Sequence, residues 1–206
     1  MDLILKYFPD LNSLQIQQYR KLISILPLLN QRVNVISRKD IAFLEERHIL
    51  HSLSIAKKFS FDSKARVLDV GTGGGFPGIP LAIIFPETAF TLVDSIGKKI
   101  RLLDELCKEL ELKNVTAVNQ RMEHLDMKAD FVVSRAVTAF PLLYQWTRKL
   151  IKPGNKQTMP NGLLSLKGGD LEKELMPLKN RTELFPLSSW FEEPFFSTKM
   201  IVYLKK

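Results

Sequence analysis

Asp69-Val70-Gly71-Thr72-Gly73-Gly74-Gly75-Phe76-Pro77-Gly78 joins a short β-rich run at 65–70 to an apolar run at 79–85. A glycine loop that follows a strand and opens a helix lets backbone amides approach a ligand closely. Residues 73–78 also satisfy the G-x-G-x-x-G spacing of a dinucleotide site. The acidic residue at the head of the loop discriminates between ligands. A carboxylate there opposes a pyrophosphate, but it favours the ammonium and sulfonium of S-adenosylmethionine. Asp94 ends the next strand, 23 residues beyond Gly71. It suits the ribose diol that adenosylmethionine and NAD share, or it caps the helix that follows. The candidate cofactor residues from this region are Asp69, Gly71, Gly73, Gly75, Phe76 and Asp94.

Outward from the loop, strands are expected at 65–70, 90–94, 115–119, 130–134 and 163–166, with two more near 182–185 and 199–203. Helices are expected at 79–85, 98–111, 141–151 and 170–178. The segment 152–160 is rich in chain breakers and reads as a loop. Alternating strands and helices imply a parallel sheet covered on both faces. Residues 1–59 read as a helical extension. Leu14, Ile16, Tyr19, Ile23 and Leu26 recur near helical spacing, with Asn12 or Ser13 as cap and Pro27 as a stop or kink. A second helical region at 41–59 carries Arg47, His48 and His51. Residues 60–206 form the expected Rossmann-like domain, doubly wound and α/β.

The chain has 206 residues, 45% hydrophobic and 25% charged, with a net charge of +8. That length buries enough surface to need no disulfide or metal staple. Half of the positive excess lies in residues 1–64, where ten basic side chains meet six acidic ones. A basic balance favours a polyanionic partner such as RNA. A lone cysteine, Cys107, excludes an internal disulfide and any multi-cysteine zinc site. His48 and His51 lie three apart on one helical face, too few ligands for a metal. No run is long enough for a membrane helix. The first residues do not read as a secretory signal. A cytoplasmic monomer is expected.

The chain resembles the bacterial ribosomal RNA small-subunit methyltransferase G family, also called glucose-inhibited division protein B. The resemblance runs from about Asn30 to Lys206. It rests on Asn34, on Arg47-His48-Ile49-Leu50 with Ser52, and on Asp69-Val70-Gly71-Thr72-Gly73 with Gly75. It continues through Pro77-Gly78-Ile79-Pro80, Asp94-Ser95 with Gly97-Lys98, Arg121 with Glu123, Ser134-Arg135-Ala136 and Leu166-Lys167-Gly168. His51 departs from it, since many members carry Asp there. The resemblance implies a doubly wound S-adenosylmethionine-dependent methyltransferase fold. The implied acceptor is a guanine in small-subunit ribosomal RNA, either naked or within a ribosomal particle.

The chemistry of the acceptor narrows in parallel. Methylation at C5 of a pyrimidine needs a cysteine nucleophile, and Cys107 falls among Leu103, Leu106 and Leu110 at core spacing. Exocyclic-amine methylation generally uses an Asn/Asp-Pro-Pro-aromatic motif after the fourth strand, where this chain has Ser134-Arg135-Ala136. Guanine N7 carries a bare lone pair and needs no general base, so alignment and electrostatics suffice. Arg135, at the end of the fourth strand, is the leading catalytic candidate. Its planar fork suits a guanine, a phosphate or the cofactor's carboxylate. Met122 and Glu123 should border the adenine. Arg47, His48, Lys98, Lys99, Arg101, Arg121 and Lys167 are the candidate RNA contacts. Two other readings stay open: an NAD-dependent oxidoreductase, and a non-catalytic RNA-binding protein that retains a cofactor pocket.

Overall fold

A computed structural model describes residues 1–154 and 159–206. One seven-stranded sheet runs through it in the order β3-β2-β1-β4-β5-β7-β6. The strands are β1 (Arg66–Val70), β2 (Ala89–Asp94), β3 (Val115–Asn119), β4 (Phe131–Arg135), β5 (Gly162–Gly168), β6 (Thr182–Pro186) and β7 (Lys199–Lys205). The first five are parallel neighbours. β7 breaks the all-parallel expectation, because it runs antiparallel to both β5 and β6. The cause is the connection. β7 follows β6 through two short 3-10 turns, Leu187–Ser189 and Pro194–Thr198, with no crossover helix to restore direction.

The inner strands β1, β2, β4, β5 and β7 bury both faces, while β3 and β6 at the two sheet edges are half-exposed. Val67, Phe90, Phe131 and Leu164 enter one core. Leu68, Val93, Val132 and Leu163 enter the other. Beside the first core lie α1 (Asp2–Tyr7), α2 (Ser13–Arg32), α3 (His51–Leu53), α4 (Gly78–Ile84) and α5 (Gly97–Glu109). Beyond β4 come α6 (Phe140–Thr147) and α7 (Glu172–Leu175). Ile4, Tyr19, Leu22, Leu26, Ile49 and Leu50 share the core of Phe131 and Tyr203, so apolar packing crosses the 59/60 boundary without a gap.

Three local expectations change. Pro27 does not stop its helix, because α2 continues to Arg32. An interior proline costs about 3 kcal/mol. Tyr19, Leu22, Leu26 and Leu29 are buried around it, and each contributes roughly 1.5–3 kcal/mol, which outweighs the lost hydrogen bond. Asn12 caps α2 in a reciprocal capping box with Gln15. The second helical region is not one α-helix. It passes from a 3-10 turn (Ile41–Phe43) through a π-helical stretch (Leu44–Leu50) and α3 into another 3-10 turn (Ser54–Lys57). Such π turns recur at functional sites. The helix expected at 170–178 is short, α7 giving way to a 3-10 stretch (Met176–Arg181). Part of the 152–160 loop, residues 155–158, lies outside the described residues.

Asn30 turns the chain after α2. Its Oδ1 accepts from the amides of Val35 and Ile36 at 2.9 Å each, and its Nδ2 donates to the Ile36 carbonyl at 2.8 Å. The side chain is buried. Asn30→Ala strands these backbone groups and should cost about 1–3 kcal/mol, read as a lower midpoint in denaturant. An unchanged midpoint contradicts this account of the turn.

Candidate active site

The carboxyl ends of the parallel strands converge on one edge, where sheets of this class bind ligands. A cavity of about 340 Å³ opens there. Gly71 follows β1 and Asp94 ends β2. Arg121, Met122 and Glu123 follow β3, Ala136 and Val137 follow β4, and Trp146 comes from α6.

Asp94 anchors this cavity. Its Oδ2 accepts from the Gly73 amide at 3.1 Å and from Lys99 Nζ at 3.2 Å, and its Oδ1 accepts from the Ile96 amide at 2.9 Å. Asp94 is not the cap of α5, whose N-cap is Ile96 without a side-chain cap hydrogen bond; it holds the Ile96 amide just ahead of the helix. The carboxylate also lines the cavity. Gly71, Gly73 and Gly75 all have positive φ, at 67°, 59° and 92°. A Cβ on Gly71 would meet Val137 at 2.4 Å, whereas one on Gly73 would meet only the Gly71 carbonyl oxygen, at 3.9 Å. Of the expected cofactor residues in this loop only Gly71 lines the cavity, packed tightly on Val137; Gly73, Gly75 and Phe76 do not reach it, and Gly75 and Phe76 are buried.

Asp69 sits elsewhere than expected. It is fully buried and does not line the cavity. Its Oδ2 accepts from Thr72 Oγ1 at 2.7 Å and from the Gly78 amide at 2.8 Å, so it ties both ends of the glycine loop together. Its Oδ1 is buried without a partner. Burial pushes the carboxyl up to about 7, against the opposing pull of Thr72 and Gly78.

A second cavity, of about 510 Å³, lies on the other side of the β4 terminus. Arg47, His48, His51, Arg135, Lys167 and Lys199 line it, with Asp40 as their acidic neighbour. Ala136 lines both cavities and holds a φ of 55°, a strained value for a residue with a Cβ.

Arg135 requires a correction. Its fork was expected to be open to substrate. In the structure Nη1 donates to the Arg47 carbonyl at 3.0 Å and Nη2 donates to His48 Nδ1 at 2.9 Å. The guanidinium also stacks 5.0 Å over the Phe76 ring. A buried cation must find such partners. Burial pulls Arg135 down to about 10, so it stays charged at neutral pH. Burial, with help from Arg135, depresses His48 to about 3, and the imidazole is neutral. His51 is likewise neutral, its ring packed edge-on to Phe195 and Phe196 with Nε2 buried and unpartnered.

The expected RNA contacts divide. Lys98, Arg101 and Arg121 are exposed. Lys99 is instead drawn into the first cavity by Asp94. Lys167 pairs with Glu174 at 2.8 Å and donates to the Thr138 carbonyl at 2.6 Å. Arg47 lies 3.8 Å over the Phe43 ring and 3.3 Å from Asp40. Burial pushes the Cys107 thiol up to about 12, consistent with packing against the core. Among the described residues there is no group of three or more metal-ligating side chains, and no helix long and apolar enough to cross a membrane. Trp146, Phe195 and Lys199 line cavities that sequence reasoning did not give them. A single aromatic in a helix or turn, or a lysine opening a strand, carries no spacing signal, and only the fold brings them here.

Comparison with known proteins agrees with this geometry. The family model for rRNA small subunit methyltransferase G matches residues 15–188. A ribosomal RNA small subunit methyltransferase G of Bacteroides thetaiotaomicron is 53% identical over 203 residues, 98% of each chain. One of Christiangramia forsetii is 52% identical over 204 residues, 99% of this chain and 96% of that one. Among solved structures, a SAM-dependent methyltransferase from Aquifex aeolicus shares the fold. It has a TM-score of 0.57 at 17% identity and covers 82% of this chain and 98% of that one.

The Asp69 carboxyl gives a pH test. Its folded pKa lies above the unfolded value, so the folded state holds a proton that the unfolded state has lost. Stability from this group is full below about 4 and falls as pH rises to about 7. The whole effect is at most about 4 kcal/mol. Asp69→Asn keeps an acceptor for Gly78 and removes the titration. Melting curves from pH 4 to 8 should therefore show the parent losing stability relative to the variant. Parallel curves contradict the assignment.

Proposed function

This chain belongs to the rRNA small subunit methyltransferase G family, and we propose that it methylates N7 of a guanine in small-subunit ribosomal RNA, using S-adenosylmethionine. The observation that carries this reading is the pair of cavities that share Ala136. One suits the cofactor and the other an acceptor base.

The donor set of the first cavity fits adenosylmethionine. Asp94 and Glu123 are acceptors, Met122 and Trp146 offer apolar surface for an adenine, and Gly71 brings the glycine loop into the lining. The same carboxylates oppose the pyrophosphate of a dinucleotide, which argues against an NAD-dependent oxidoreductase. When bound, the cofactor supplies an electrophilic methyl on a sulfonium. The protein's part is then alignment. The residues lining the two cavities would hold that methyl in line with the bare N7 lone pair of the acceptor. No proton moves in this step. The neutral His48 and His51 and the charged Arg135 suit a site with no base to supply.

We assign Arg135 as a positioning residue that locks the π-helical stretch against β4. Lys98, Arg101 and Arg121 extend the basic rim toward RNA phosphates. The protein acts as a monomer in the cytoplasm, on ribosomal RNA or a ribosomal particle.

The direct experiment maps 7-methylguanine in small-subunit RNA incubated with protein and cofactor. RNA that binds but gains no methyl supports a non-catalytic binder instead. Arg135→Ala should slow single-turnover transfer by ~100-fold, about 2.7 kcal/mol, and Arg135→Lys should restore little, since an ammonium cannot hold two acceptors in one plane. Near-normal transfer in a stable Arg135→Ala protein removes the role. For the rim, removing Lys98 and Arg101 together should lower the slope of log affinity against log salt by about 1.4. An unchanged slope takes them off the RNA path.

A further inference from the structure

We propose that His48 reads O6 of the acceptor guanine through its Nε2–H, and that Arg135 makes it a donor by fixing its tautomer. This rests on the guanine-N7 reading above and names the group that tells guanine from adenine. A guanidinium has only N–H groups and no lone pair. Its 2.9 Å contact with His48 Nδ1 therefore makes Nδ1 the acceptor. The ring is neutral, held far below its ordinary value by burial and by Arg135. A neutral imidazole has one proton, and here it must sit on Nε2.

The ring that carries this donor lines the second cavity, next to Arg47, Arg135 and Ala136. Phe76 packs edge-on against it at 5.4 Å and also lies under the Arg135 guanidinium. The glycine loop, β4 and the π-helical stretch thus hold the imidazole from three sides. On the purine edge that presents N7, guanine has a second acceptor, O6, whereas adenine has an amine donor. A fixed donor beside N7 pairs with the first and opposes the second. It also leaves the N7 lone pair free. Being neutral, it adds no like charge as the purine becomes cationic.

The assignment is tested on RNAs with one changed base at the methylated position. Inosine keeps N7 and O6, and 2-aminopurine keeps N7 but lacks O6. With the unaltered protein, single-turnover transfer to inosine should stay within ~3-fold of guanine, while 2-aminopurine should lose at least ~30-fold, as when a buried donor is left without its acceptor. His48→Phe keeps a flat ring and removes the donor. Its guanine rate should fall toward its 2-aminopurine rate, with the ratio within ~3-fold. Adenosylmethionine affinity, measured by calorimetry, should be retained. A ratio that persists in His48→Phe overturns the assignment, and so does a wild-type protein that does not distinguish the two bases. Heteronuclear NMR of the imidazole in the unaltered protein needs no variant and no turnover. A proton on Nε2 and a bare Nδ1 support the proposal, and a proton on Nδ1 overturns it. Absence of any N7 methylation by the unaltered protein overturns the functional reading and this assignment with it. Methylation with unaltered base ratios overturns the assignment alone.

Discussion

The guanidinium of Arg135 at the end of β4 reaches back 88 residues to the Arg47 carbonyl and 87 to the His48 ring. Taking a cation out of water costs several kcal/mol. That cost is offset by two hydrogen bonds, the face of Phe76 and the field of the buried Asp69. The contact joins the sheet edge to the helical segment that precedes the sheet. It adds to the core packing of Leu44, Ile49 and Leu50 in holding Arg47 and His48 of the π-helical stretch as a wall of the second cavity.

Asp69 plays the matching part in the glycine loop. It was expected to meet a ligand's positive charge directly, but its Oδ2 gathers Thr72 and Gly78, and the loop's shape follows. The orphaned Oδ1 and the raised pKa record how little else solvates it. Thus Asp69 and Arg135, both buried near the strand ends, direct their hydrogen bonds largely to the glycine loop and the π-helical stretch, while Asp94, Lys99 and Glu123 face the first cavity.

How much of this was legible in the sequence depends on where each signal resides. The strand at 115–119, the loop at 69–78 and the cap at Asn12 are local, because spacing and residue type act within a few positions. Asp94 and the residues after β3 were placed through the rule that ligands gather at carboxyl strand ends. Pro27 misled because its penalty is local whereas the burial that overrides it is tertiary. Lys99 read as one of three basic neighbours, yet only the fold shows Asp94 within its reach. β7's direction depends on the lack of a crossover helix after β6, a feature the late sequence hides among 3-10 turns. Phe195 and Lys199 reach the second cavity from a distant segment and left no trace in the local pattern.

Ala136 is a wall of both cavities, held at a strained φ of 55°. A wall common to two compartments cannot shift for one occupant without altering the other. By linkage, whatever free energy the first ligand spends or gains in settling that peptide is felt equally by the second, and reciprocally. Any coupling between the two cavities that passes through this wall rests on one residue's backbone.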